Sequence, residues 1–431
     1  MEDDMKRICI FTTFLGADHA YSLNNVVIDQ IKMFLRAEYQ PVVLVGEGFN
    51  PVGVYKEVEL RHIPRVFLSN EGKLPDNYQE DAEKMTVALR ELLKDVGVCI
   101  THDVIYQPAH LIHNLAARKV AEERPDLRWL HWIHSATTPN ILCNKEEVRM
   151  LIKRPFPHAF ICYPNQYDRG RVANNFRYPE HKVKYVPHPI DIPEYLGFHE
   201  YTREFVDKYS LIEADAVMVY PVRLDRGKQV EMNIRFMAAM KRRQKSVRMI
   251  VVDFHSTGGD KVTYRDALKK RGIELGLSDM ELIFTSDFKP ETKGSCPREM
   301  VRDLFNISNL FLLPSRSETY SLIAQEAAIC GNLIMLNFDF PAMRSIYGEQ
   351  ALYFKFSSNV DALTGLDGET LTDYKGGEQY FDDMAKAICY ELDNNRLISL
   401  RDKLRKERNL DYVFREHFEP LLYGQEKELE T

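Results

Sequence analysis

Pro314-Ser315-Arg316-Ser317-Glu318-Thr319-Tyr320-Ser321-Leu322, running on through Glu326 to Cys330-Gly331, follows an apolar tetrad, Leu310 to Leu313, and opens a small-residue helix expected over Tyr320 to Cys330. An apolar strand feeding a helix through a short polar loop is half of the repeating unit of a parallel sheet covered by helices. The first N–H groups of such a helix lack intrahelical partners, so the amides near Tyr320, Ser321 and Leu322 face a place suited to an anion. Glu318 and Glu326 stand eight residues apart. Along a helix that is about 12 Å at about 1.5 Å per residue, a separation that suits the two ends of one extended ligand.

Working outward, the same alternation fills the chain. Before the quoted stretch come apolar strands expected at Ala216 to Pro221, Val247 to Asp253 and Leu282 to Phe284, with helices at Lys228 to Arg243 and Thr263 to Leu275, and after it a strand at Asn332 to Asn337. The N-terminal part repeats the theme, with strands at Arg7 to Phe14, Pro41 to Val45, Val96 to Ile100, Leu127 to Trp132, Ala159 to Cys162 and Val183 to Val186. The proline-rich segment Pro187-His188-Pro189-Ile190-Asp191-Ile192-Pro193 reads as a hinge between the two series. The fold class expected is therefore α/β, with two Rossmann-like domains facing each other across a cleft: an N-terminal domain over 1–190, a C-terminal domain over 191–405, and a terminal helical segment over 406–431. Ligands of such sheets bind beyond the carboxyl ends of the strands.

A second chemical signal is Tyr220-Pro221-Val222-Arg223-Leu224-Asp225-Arg226-Gly227-Lys228, also between a strand and a helix. Two cations there can hold a diphosphate and stabilise the charge it gains when a bond to it breaks.

These motifs together resemble family 4 of the glycosyltransferases with the GT-B fold, strongly in the second half of the chain and loosely in the first. The resemblance implies a retaining, metal-independent transfer of a sugar from a UDP- or GDP-sugar cosubstrate, with no tightly bound cofactor. It implies that Arg223 and Lys228 hold the diphosphate, that Glu318 contacts the donor sugar and that Glu326 contacts the ribose. Tyr320, Ser321 and Leu322 would complete the donor site, although the family commonly has Phe-Gly-Leu there. Gly16, in the loop after the first strand, falls where family members place a glycine-rich turn against the donor phosphates or the acceptor, which adds it to the donor-binding candidates. Phe288, in Thr285-Ser286-Asp287-Phe288, falls where relatives bind the base. His134, after Trp132-Ile133, matches a family histidine near the donor sugar, which adds it to Glu318, Arg223 and Lys228 as a catalytic candidate.

The acceptor is sought in the N-terminal domain. His102 and Asp103 end a strand there, and the segment from Lys145 to Lys184 carries nine basic against four acidic side chains, a net +5 that includes Arg169 and Arg171. The acceptor expected is a glycan, lipid, protein or modified DNA; a basic patch of this kind suits an anionic one, and a second reading is a DNA-modifying glycosyltransferase acting on a hydroxylated base. A nucleotide-sugar epimerase of the same architecture and a non-catalytic carbohydrate-binding protein are the other readings.

The whole chain has 431 residues, 45% of them hydrophobic and 28% charged, with a formal net charge of −7. That supplies two real cores and argues against a disordered chain or one that clings to polyanions through overall charge. Seven scattered cysteines without a C-x-x-C pair indicate neither a disulfide framework nor a zinc site. No metal site is expected at Asp382-Asp383. With no signal peptide or membrane-spanning stretch in view, a cytoplasmic location is expected.

Overall fold

A computed structural model describes residues 6–69, 72–102, 104–135, 143–254, 259–289, 296–316, 318–339, 341–356 and 377–423. The chain divides into two compact units, one made of Met1–Asp191 with Arg408–Thr431 and the other of Ile192–Glu407.

The first unit is built on seven parallel strands: β1 Arg7–Phe11, β2 Gln40–Gly46, β3 Glu59–Ile63, β4 Val98–His102, β5 Arg128–Trp132, β6 Ala159–Tyr163 and β7 Val183–Tyr185. Their order across the sheet is β3-β2-β1-β4-β5-β6-β7, so the direction of winding reverses between β1 and β4. Strands covered on both faces read as unbroken apolar runs, and every residue of β4 and β6 is buried. Alternation along β1 sends Cys9 and Phe11 into one layer and Ile8 and Ile10 into the other.

The second of these layers is closed by the end of the chain. Helix Ser22–Arg36 buries Val27, Ile31 and Phe34 on one face, and Leu410, Val413, Phe418 and Leu421 join them. The Phe34 and Phe418 rings meet edge to face at 5.4 Å. The terminal segment expected as a separate piece over 406–431 is thus, from Arg408 on, part of the first unit, because its apolar residues complete a layer that the N-terminal residues leave open. A bridge between Ile190 and Asn409 ties the two crossing strands of chain together.

The second unit has six parallel strands in the order β10-β9-β8-β11-β12-β13: β8 Ala216–Arg223, β9 Val247–Phe254, β10 Leu282–Phe284, β11 Leu310–Leu313, β12 Leu333–Asn337 and β13 Leu352–Phe354. The order reverses between β8 and β11. One core cluster spans both faces of the sheet, from Phe205 and Met218 to Phe311, Ala327 and Ile388.

Two strands, β3 and β13, lie outside the expected set. Both are edge strands, and β3, Glu-Leu-Arg-His-Ile, buries only Ile63, so it carries no apolar signature. β1 ends at Phe11, three residues before the expected Phe14, and the helix expected from Tyr320 starts at Leu322.

Candidate active site

The loops that leave β8 and β11 stand side by side at the point where the second sheet changes direction, the position where open α/β sheets bind ligands. They are knitted together. The Arg316 N–H donates to the Gly227 carbonyl at 2.8 Å, and the buried Tyr220 hydroxyl donates to the Lys228 carbonyl at 3.0 Å and lies 3.3 Å from Ser315 Oγ. Asn337, at the end of β12, donates to the Ser315 carbonyl. Gln229, fully buried, takes a left-handed conformation (φ 50°, ψ 48°) and turns the first loop into helix Val230–Arg242.

Ser321 is also left-handed, with φ 54° and ψ 76°, and precedes helix Leu322–Ile329 without a side-chain cap bond. A residue without Cβ would adopt that conformation freely, whereas serine adopts it at a cost. The Tyr347 hydroxyl donates to the Ser321 carbonyl at 3.1 Å and holds the turn.

Between these loops lies a cavity of about 700 Å³ lined by Arg223, Lys228 and Glu318 together with Thr319, Tyr320, Ser321, Leu322 and Ile323. Lys228 Nζ pairs with Glu318 Oε1 at 2.5 Å, with Glu318 largely buried. Arg223 is mostly exposed and pairs with Asp225. Asp225 also faces Lys261 at 3.4 Å. Partial burial raises the Asp225 pKa, but the Arg223 hydrogen bond and the Lys261 charge outweigh it and leave the carboxyl below its usual value. Asp225 and Lys261 were not among the expected site residues. The signal was the alternating charge of Arg223, Asp225 and Lys228, whereas Lys261 is brought in by the fold from 36 residues beyond Asp225.

Glu326 is not in this cavity. It accepts from Arg298 Nη2 at 3.3 Å and lines a separate cavity of about 350 Å³ with Arg302, Phe305 and Cys330. Phe288 does not line the larger cavity either. Its ring packs edge to face on Phe205 at 5.0 Å, between Lys208 and Lys289. Beside it, buried Asp253 accepts from the Ser286 N–H and the hydroxyls of Thr285 and Ser286, which fixes the loop after β10.

In the first unit His102 and His134 come together. His102 Nδ1 lies 2.9 Å from His134 Nε2, and His102 Nε2 lies 3.1 Å from Gln30 Oε1. His134 stacks on His188 at 5.4 Å, and His188 stacks on Trp132 at 5.3 Å. Burial, then mutual repulsion, keeps this column uncharged: His102 is well below its usual pKa, and His134 and His188 are pushed down to about 4, His188 by burial alone. His188 lies in the proline-rich segment expected as a hinge, and its place in the column does not follow from the sequence.

Gly16 sits in an exposed loop where an added Cβ would meet nothing within 4 Å. Asp103 lies outside the described residues. Arg169 donates to the Val183 carbonyl at 2.8 Å and anchors β7, and exposed Arg171 pairs with Asp168 at 3.0 Å. Among the described residues no group of three or more His, Cys, Asp or Glu is placed to hold a metal ion, and no helix is long and apolar enough to cross a membrane.

No family model matches the chain, and no curated protein matches it. Among solved structures it is similar to a glycosyltransferase from Rickettsia africae ESF-5, at 12% identity over 97% of this chain and 99% of that one, with a TM-score of 0.35. It is similar to Anabaena HepE in complex with UDP-glucose, at 13% identity over 96% and 99%, with a TM-score of 0.34. A third similar structure is WaaG, a glycosyltransferase involved in lipopolysaccharide biosynthesis, at 11% identity over 97% and 100%, with a TM-score of 0.33.

Proposed function

We propose that the chain is a glycosyltransferase that moves a sugar from a UDP- or GDP-sugar to a hydroxyl acceptor with retention of configuration. The observation that carries this reading is the cavity at the reversal point of the second sheet, where Arg223, Lys228, Glu318 and the start of a helix converge. Two cations and unpaired helix amides are what a diphosphate needs, and a carboxylate beside them is what sugar hydroxyls donate to.

In this reading Lys228 exchanges Glu318 for the diphosphate, and Glu318 turns to the donor sugar. As the anomeric carbon–oxygen bond ionises, Arg223, Lys228 and the amides of the Ser321–Leu322 turn take up the charge gathering on the leaving diphosphate. The acceptor hydroxyl then attacks the same face of the sugar and passes its proton to the departing phosphate oxygen, so no protein nucleophile is required. Glu326 joins the ribose only by giving up Arg298. His134, held uncharged, acts as a hydrogen-bonding group toward the sugar rather than as a cation.

Donor hydrolysis of UDP- and GDP-sugars is the test, with wild type compared with Arg223→Ala and Glu318→Ala. Loss of turnover in both variants is expected, and unchanged rates in both would end the assignment. Product NMR with one nucleotide sugar and no acceptor separates transfer from epimerisation, because an epimer forming alone contradicts transfer.

A further inference from the structure

Asp225 follows strand β8 by two residues and precedes the short turn Arg226–Lys228, a place where an aspartate side chain ordinarily accepts from the amides of the turn. It makes no such bond. The backbone closes the turn instead: the Asp225 N–H donates to the Arg223 carbonyl at 2.6 Å, and the Asp225 carbonyl accepts from the Lys228 N–H at 2.8 Å.

The carboxylate is left to two cations, one for each oxygen. Arg223 donates from Nε to Asp225 Oδ2 at 2.5 Å, and Lys261 Nζ stands 3.4 Å from Oδ1. Arg223 lines the Lys228 cavity with its side chain 67% exposed, and among the described residues its two Nη atoms donate no hydrogen bond. Lys261 is held from behind. It lies three residues before Tyr264 in helix Gly259–Glu274, so the two share one face. Tyr264 is 1% exposed, donates to the buried Glu231 Oε2 at 2.5 Å and carries the Arg226 guanidinium over its ring at 5.3 Å. The helix that bears Lys261 is thereby docked against the loop that bears Arg223.

Charge alone disfavours a carboxylate beside a diphosphate site, since the two repel. Position favours it. A long exposed side chain loses rotamer freedom when a ligand captures it, and one already held in place loses less. We propose that Asp225 is a positioning residue that, braced by Lys261, grips Arg223 by its Nε edge and presents the Nη atoms to a diphosphate. The proposal rests on the transferase reading in one respect, the diphosphate in that cavity.

The experiment is calorimetry on the full chain with UDP, GDP and inorganic pyrophosphate as probes and uridine as the control. Asp225→Asn keeps the shape of the side chain and removes its charge. Were repulsion its main effect, this variant would bind more tightly. The expected result is the reverse, about tenfold weaker binding of pyrophosphate and of each nucleotide that wild type binds, with an unchanged urea midpoint. Asp225→Glu should recover part of the loss. Arg223→Ala with Asp225→Asn should bind no more weakly than Arg223→Ala alone, because Asp225 acts through Arg223. Lys261→Met should weaken wild type by about threefold and add less in the Asp225→Asn background, because it acts through Asp225. Unchanged or tighter binding by Asp225→Asn, or a full further loss in the Arg223→Ala double variant, would overturn the proposal. A wild type that binds pyrophosphate but neither nucleotide counts against the transferase reading, and the role of Asp225 is then decided by the pyrophosphate series. Binding of no probe overturns both.

Discussion

Lys228 Nζ lies 2.5 Å from Glu318 Oε1, so the loops after β8 and β11 meet through opposite charges inside the cavity they form. A diphosphate must take Lys228 from Glu318, and the two partners therefore have opposite effects on binding. Lys228→Ala should weaken UDP by about tenfold to a hundredfold, the equivalent of one charge-assisted hydrogen bond of about 1.5–3 kcal/mol. Glu318→Gln should bind UDP as tightly as wild type or more so, because the cation is released, yet lose sugar transfer. Calorimetry with UDP, with uridine as the control, reads the first effect, and turnover reads the second. Equal loss of UDP affinity in both variants would contradict the exchange.

The left-handed turn at Ser321 makes a prediction about stability. Ser321→Gly should leave stability within about 0.5 kcal/mol of wild type, since relief of the Cβ contact is offset by the larger entropy of an unfolded glycine. Ser321→Val should cost about 1–2 kcal/mol, because a β-branched residue tolerates φ 54° poorly. Urea unfolding of the two variants decides it, and indistinguishable midpoints would show that the turn is not held in this conformation in solution.

These two cases also show what was legible beforehand. The central strands announce themselves because a parallel strand covered on both faces must be apolar throughout, as Ala159–Tyr163 is. Edge strand Glu59–Ile63, with four of its five residues outside the core, carries no such pattern and was missed. Arg223, Lys228 and Glu318 could be named because strand-to-helix junctions place them locally, and they share one cavity. Glu326 could not be placed by spacing, because Arg298, on a different helix 28 residues earlier, holds its carboxylate at another cavity. The histidine column was hidden for the same reason: His102, His134 and His188 come from three separate places in the chain.

Those histidines predict a pH dependence. His134 and His188 are pushed down to about 4, and elsewhere in the first unit His110 to about 4 and His113 to about 3, against an ordinary value near 6.5. The native state holds them neutral, so below pH 6.5 the unfolded chain binds more protons and stability falls with pH. The contribution is complete above about pH 6.5 and is lost progressively down to about pH 4, above the range in which most carboxylates titrate. Each such histidine should remove about 1 kcal/mol per pH unit within the window. Urea midpoints should change little between pH 7.5 and 6.5 and then drop at pH 5.5 and again at pH 4.5, and His188→Gln should flatten that slope. A midpoint independent of pH over this range would mean that the column is solvated.

Arg405 predicts a purely structural loss. Its side chain is buried and donates to the carbonyls of Leu211, Ile212 and Ala214, each at 2.7 Å. Burial lowers its pKa, with Asp402 working in the opposite direction, and the geometry keeps it a cation held by three carbonyl dipoles at the entry to β8. Arg405→Met fills the space but leaves three carbonyls short of a donor, so the cost should be about 3 kcal/mol or more. Arg405→Lys should recover less than half of it, since an ammonium cannot reproduce the planar fork that reaches three acceptors. Because Arg405 does not line the Lys228 cavity, both variants should bind UDP with wild-type affinity at a temperature where they remain folded. A large fall in urea midpoint with unchanged calorimetry is the expected pair of results, and lysine restoring full stability would show that charge alone, not the fork, holds this junction.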